Sequence, residues 1–210
     1  AGRQGGRAAG RQGGRAAGRH TFATTCRSKE ALRATISADR QSSTVEPTLS
    51  VTQRLFDAIR DDDEGQVEAA LRDGASVDSE LEGCTALIMA MILVGPQQHH
   101  IAKLLLQRGA DVHRRHPNGG FTPAYIAAQE GHVEVVRLLA ELGADVQTPA
   151  SDGATPALVA AAKGHVEVLR LLAELGANIN TPWEDGATPA YVAAQEGHVE
   201  VLRLLADLGA

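Results

Sequence analysis

Aromatic residues are nearly missing from this 210-residue sequence: three Phe, two Tyr and one Trp amount to 3% of it. A core with so few rings must be filled by Leu, Val, Ile and Ala, which favours many small, similar packing units over one large core. Cysteine is scarcer still. Cys26 and Cys84 build no disulfide framework and have no close Cys or His partner at zinc-finger spacing, so they read as reduced, intracellular thiols. No run approaches the roughly 18 apolar residues of a membrane span, so no membrane partner is expected. No apolar signal-peptide core opens the chain, and its first residue is Ala rather than Met, as expected of a processed or partial start.

What is present falls into two physically different regions. Residues 1–50 carry nine Arg or Lys against three acids, whereas residues 51–210 carry eleven against twenty-three, which together give the net charge of −6. The first region opens with its own direct repeat, "AGRQGGRA" at 1–8 and again at 9–16. Gly, Ala, Gln and Arg offer almost no apolar surface to offset the entropy of ordering, and residues 21–50 then hold eleven Ser or Thr. Residues 1–50 are therefore expected to be largely disordered, with "SKEALRATI" the one stretch suited to a transient helix. Three roles for this tail stay open at this point. Its spaced arginines suit nucleic-acid phosphates, through residues 1–20 only and without an aromatic interleaved in 1–19 for stacking. Its Arg-rich, Ser/Thr-rich, acid-poor composition also fits an organelle transit peptide, and the direct repeat also fits a replicated coding stretch without a role.

From Gly120 onward a period of 33 governs the sequence. Thr-Pro recurs at 122–123, 155–156 and 188–189, Gly-His at 131–132, 164–165 and 197–198, and Gly-Ala at 143–144, 176–177 and 209–210. Thr155 suits a helix N-cap and Pro156 its first turn, where a missing N–H costs nothing. "ALVAAAK" gives a thin helix that a neighbour can approach closely, and Gly164 a left-handed stop. A second helix, "HVEVLRLLAELG", places Val166, Leu169, Leu172 and Leu175 in an apolar stripe and lets Arg170 pair with Glu174.

This pattern resembles the ankyrin repeat, commonly signed by Gly-x-Thr-Pro-Leu-His-x-Ala-Ala. The resemblance implies an all-α, ankyrin-repeat solenoid of stacked helix-turn-helix units with β-turn or hairpin connectors. The family's Leu-His is replaced by Ala124-Tyr125, Ala157-Leu158 and Ala190-Tyr191, which removes a turn hydrogen bond and predicts somewhat looser units. Two weaker copies precede the good ones. "CTALIMAMILVGPQQHHIAKLLLQRGADV" (84–112) has about three extra residues at its inter-helix turn around Gly95–His100, and "LFDAIRDDDEGQVEAALRDGASVD" (55–78) has the polar surface of an N-terminal cap. Five units follow, at about 52–78, 79–114, 115–147, 148–180 and 181–210, within a domain of residues 51–210.

No chemistry-bearing constellation emerges. "DDDEG" (61–65) fails as a calcium loop, because the required Gly and carboxylate positions hold Gln66 and Arg72. His99 and His100 are expected at an inter-helix turn and His113 and His116 in a connector, separated by a helix of about 15 Å. His132, His165 and His198 recur once per unit and read as structural. Cys84 has no base to activate it, and nothing assembles a nucleophile, base and oxyanion donor. The expectation is a non-enzymatic protein without cofactor or metal.

Ankyrin stacks generally bind proteins on a concave face of connector tips and first helices, so the resemblance implies a protein partner there. The candidate positions in the third unit are Phe121, Tyr125, Gln129 and Glu130. The fourth contributes Ser151, Asp152, Leu158 and Lys163; the fifth, Trp183, Glu184, Asp185, Tyr191, Gln195 and Glu196. Over 25 aligned positions copies two and three differ at four, Leu158/Tyr191, Ala162/Gln195, Lys163/Glu196 and Glu174/Asp207, three of them on the first helix. Trp183, in "NTPWEDG", is expected as an exposed aromatic anchor beside Tyr191, unless it folds back over the adjacent tip. The acidic tone of the face disfavours nucleic acid as its ligand. The function expected is a monomeric, cytoplasmic scaffold or adaptor, with the nucleus, or an organelle reached by a transit peptide, as other addresses. The alternatives are a targeting arm of a larger enzyme or channel and an RNA-associated protein acting through its Arg/Gly tail. Because Val199, Leu202 and Leu205 belong to a unit with no following neighbour in this sequence, either a truncated array or a last repeat frayed over residues 198–208 is expected.

Overall fold

A computed structural model describes residues 50–81, 83–93 and 98–210. The tail readings for residues 1–49 and the extra residues at 94–97 lie outside the described residues.

Local chemistry dictates the unit. In "GATPALVAAAKGHVEVLRLLAELGA" the Thr155 hydroxyl accepts from the Leu158 N–H at 3.1 Å and Pro156 occupies the first turn, starting a helix that ends at Lys163. Gly164 stops it in the left-handed conformation at φ 77°. Thr122 and Thr188 cap their helices in the same way, at 3.1 and 3.2 Å. A second helix follows after two residues, and the two antiparallel helices close into a pair.

Five such pairs form in chain order among the described residues: α1 (Val51–Arg60) with α2 (Glu64–Arg72), α3 (Ala86–Ile92) with α4 (Gln98–Gln107), and α5 (Pro123–Glu130) with α6 (Val133–Glu141). They continue with α7 (Pro156–Lys163) paired to α8 (Val166–Glu174), and α9 (Pro189–Glu196) to α10 (Val199–Asp207). Between units, first helices pack on neighbouring first helices, α1–α3–α5–α7–α9, and second helices on second helices, α2–α4–α6–α8–α10. That is an all-α solenoid, quasi-one-dimensional in its contacts. Alanine makes the first row possible: Ala127, Ala128, Ala160 and Ala161 are fully buried, where larger side chains would hold the helices apart. A short antiparallel hairpin, β1 (Glu80–Leu81) with β2 (Cys84–Thr85), joins the first two pairs in the register Glu80↔Thr85 and Leu81↔Cys84.

Two details of the second helix differ from expectation. The buried stripe of α8 is Val168, Leu169, Leu171 and Leu172, while Val166 is half-buried and Leu175 is 40% exposed beyond the helix end. A stripe stepped by three drifts steadily around a helix of 3.6 residues per turn, so its two ends leave the core. Arg170 pairs with Glu167, one turn back at 3.7 Å, rather than with Glu174. His99 and His100 likewise stand in the first turn of α4, not in the loop before it.

Units are locked together by the Gly-His pair. His165 Nε2 bonds the Gln129 carbonyl at 3.0 Å and His198 Nε2 the Ala162 carbonyl at 3.0 Å, each reaching the end of the preceding first helix. His132 does the same to the Met91 carbonyl at 3.3 Å. The imidazole fits because the residue it crosses is Gly: a Cβ on Gly131 would lie 2.8 Å from the His165 ring, and one on Gly164 2.7 Å from that of His198. In the first unit Asp62, left-handed at φ 59°, and Asp63 hold these two places, and the Asp63 carboxylate caps its own helix by accepting from Gln66 N–H.

Candidate interaction face

The connectors after the second helices turn back as tips beside one another. Each closes on two backbone hydrogen bonds: His116 N–H to the Phe121 carbonyl at 2.8 Å, Ala150 N–H to that of Ala154 at 2.9 Å and Trp183 N–H to that of Ala187 at 2.8 Å, with Gly120, Gly153 and Gly186 N–H donating back to the His116, Ala150 and Trp183 carbonyls. His116, Ala150 and Trp183 therefore occupy one equivalent, inward position, and all three are buried. Short polar side chains shape the turns. Asp152 and Asp185 accept from the N–H two residues on, both at 3.0 Å, the local bonding that favours Asp in tight turns. Neighbouring tips are stitched by Ser151 N–H to the Gly119 carbonyl at 2.8 Å and by Trp183 Nε1–H to the Asp152 carbonyl at 2.6 Å.

Trp183 is thus a correction. At 7% exposure it is no free anchor; it folds back over the fourth unit's tip, using its ring to cover and its N–H to bond. Tyr125 and Leu158 are also removed from the surface, each 1% exposed, because the next unit covers them. Gln129 is buried too; its carbonyl is the acceptor for His165 and its amide donates to Glu130 at 3.1 Å. Phe121 is half-buried, stacked on Tyr125 at a centroid distance of 5.1 Å.

The rest of the set is reachable. Ser151, Glu184, Asp185, Gln195 and Glu196 are exposed, Glu130, Asp152 and Lys163 half-exposed, and Tyr191 is 62% exposed. The sequence reading passed over Arg114 and Arg115, both exposed on the third unit's tip. Arg114 binds Glu80 of the preceding hairpin at 2.7 Å, and Arg115 donates to the Pro149 carbonyl at 3.3 Å. Their adjacency in a connector was the signal. The tips therefore run from basic at the third unit to acidic at the fourth and fifth.

No catalytic constellation sits beside this face among the described residues. Burial, and then Glu80, push the Cys84 thiol up to about 12, far from a reactive thiolate. His113 and His116 belong to the third tip, whereas the His99 and His100 rings lie tilted at 40° with centroids 4.0 Å apart on α4, and no group of three metal-binding side chains converges among the described residues. No helix among them is long and apolar enough to cross a membrane.

Helix pairs stacked in two rows, with tips carrying varied polar side chains, define a helical-repeat solenoid, a class that meets its ligands along an extended surface. Family models for ankyrin repeats match residues 55–150 and residues 157–206, and the chain belongs to the ankyrin repeat family. Among curated relatives it is 34% identical over 100 residues to protein phosphatase 1 regulatory subunit 27 of Mus musculus, covering 47% of this chain and 63% of that one. The Homo sapiens counterpart is 43% identical over 51 residues, 24% of this chain and 32% of that one. An ankyrin repeat and KH domain-containing protein of Caenorhabditis briggsae is 37% identical over 83 residues, 39% of this chain and 3% of that one. The chain thus spans less than two thirds of the length of each of these relatives.

Proposed function

We propose that this protein is a non-enzymatic scaffold or adaptor that binds a protein partner along the connector tips and the open ends of its first helices. The observation that carries this reading is the contrast within the units. Their frames are nearly identical, whereas equivalent tip residues change: Arg114 and Arg115 stand where the later units have Thr148 and Pro149 and then Thr181 and Pro182, and the exposed Ser151 is replaced by Glu184. A rigid backbone with varied exposed side chains suits recognition, and the charge gradient suits a partner segment of opposite polarity. The acidic half disfavours nucleic acid on this face.

The similarity to a protein phosphatase 1 regulatory subunit makes protein phosphatase 1 the first partner to test. Calorimetric titration of its catalytic subunit into the 210-residue chain should show binding, weakened about tenfold or more by Glu184→Lys with Asp185→Lys, or roughly 1.4 kcal/mol. Undiminished binding of that variant would remove the tips from the interface. Failure of the unaltered chain to bind would remove this partner and leave the adaptor class standing on other proteins.

A further inference from the structure

Large apolar side chains are rare on the surface of the stack, and three of them stand at one repeated position. Leu142, Leu175 and Leu208 are 47%, 40% and 43% exposed, each at the C-cap of a second helix, α6, α8 and α10. Leu142 and Leu175 each have a further unit stacked after their own, so a following neighbour does not cover this position. The first two units hold charged residues there: Asp73 binds Arg54 at 3.0 Å and Arg108 binds Glu68 at 2.7 Å. The fold therefore does not require an apolar side chain at this place.

Each leucine has an acid before it and open backbone after it. Glu141, Glu174 and Asp207 are exposed and make no ion pair among the described residues, whereas Glu167 and Glu200 are held by Arg170 and Arg203. Arg137 is the one arginine of α6, α8 and α10 without an acid among the described residues, so the strip is net acidic. A Cβ on Gly143, Gly176 or Gly209 would meet nothing within 4 Å.

Helices packed side by side lie about 8–10 Å apart, so the leucines form a ladder with rungs at that interval. An α-helix laid across the ladder returns a side chain to the same face after seven residues, or about 10.5 Å. An extended strand covers the interval in about three residues, which turns the side chain to the opposite face. We propose that this ladder docks an amphipathic helix of a partner protein, with apolar residues at heptad spacing and Lys or Arg beside them to meet Glu141, Glu174 and Asp207. A second copy of the chain is a poor occupant, because ladder against ladder would set carboxylates against carboxylates. The ladder belongs to the second-helix row, apart from the face formed by the tips and first helices.

The test uses the whole chain and a synthetic Ala-based helical peptide of roughly 20 residues, with leucines seven apart and lysines beside them. Fluorescence anisotropy should show saturable binding, about tenfold or more tighter than that of a peptide of the same composition with leucines five apart. Leu142→Ser and Leu175→Ser should each weaken binding about tenfold, and Glu141→Lys with Glu174→Lys should weaken it similarly and flatten its salt dependence. These side chains are exposed, so the variants should melt with the parent. Glu184→Lys with Asp185→Lys should leave peptide binding unchanged, which separates this site from the tips. Absent binding, equal binding of the two peptides, or binding indifferent to the leucine substitutions would overturn the proposal. So would weakening by the tip substitutions, or a dimer of the chain in sedimentation that Leu175→Ser dissolves, which would make a second copy the occupant.

Discussion

At the scale of single residues, Trp183 and Tyr191 exchange the roles their chemistry alone suggests. Both are large aromatics near the same tip, and an interface anchor is the natural reading of either. The indole is instead committed inside the protein, where it covers a neighbouring tip and bonds the Asp152 carbonyl. Trp183→Ala should therefore cost about 2–4 kcal/mol in urea unfolding, from lost burial together with an orphaned acceptor. Tyr191→Ala should stay within about 0.5 kcal/mol, since an exposed ring forfeits little on truncation. A Trp183→Ala variant as stable as the parent would mean that the ring does not hold the tips together.

At the scale of elements, the helices were legible from the sequence because their punctuation is chemical. Thr122, Thr155 and Thr188 cap, the following Pro occupies the first turn, and the left-handed Gly ends the helix. What the periodicity could not say was which side of a first helix the next unit would cover. Tyr125, Leu158 and Tyr191 share one position in the pattern, yet the first two are core and the third is surface. Burial here is a property of the neighbour, which a single unit's sequence does not contain. The same applies to the inward tip position, because Trp183 has only Ala150 and Pro117 at the 33-residue spacing. The extra residue in the third tip shifts His116 into that place.

The histidines make the joints between elements sensitive to pH. Burial holds His132 and His165 below the ordinary imidazole value, because desolvation disfavours the charged form. The folded value lies below the unfolded one, so the unfolded chain binds more protons as pH drops. The contribution is complete above the unfolded value of about 6.5 and is lost as pH falls through the folded values. Urea midpoints should therefore decline between pH 7.5 and 5.5, a window above ordinary carboxylate titration. His165→Gln should flatten that slope while lowering the midpoint at pH 7.5. A slope unchanged by the substitution would place the pH dependence elsewhere.

At the scale of the whole molecule, stability is a chain of local terms joined by interfaces, so cooperativity depends on each joint. Gly131→Ala probes one joint directly. The added Cβ must adopt a left-handed conformation, costing about 1–2 kcal/mol, and it also meets the His165 ring at 2.8 Å. Gly197→Ala imposes the same backbone cost at φ 80° with nothing within 4 Å. The difference between the two isolates the interlock. With the joint between α5–α6 and α7–α8 weakened, two helix pairs stand on one side of it, fewer than the three that a stable array needs. Gly131→Ala should therefore split urea unfolding into two steps, the first removing roughly two-fifths of the helical circular dichroism, the share held by α7 to α10. Gly197→Ala should lower the midpoint but keep one transition and the parental slope. A single transition in both variants would mean that the imidazole crossing contributes nothing to coupling, and that the apolar contacts between first helices suffice to make the stack unfold as one.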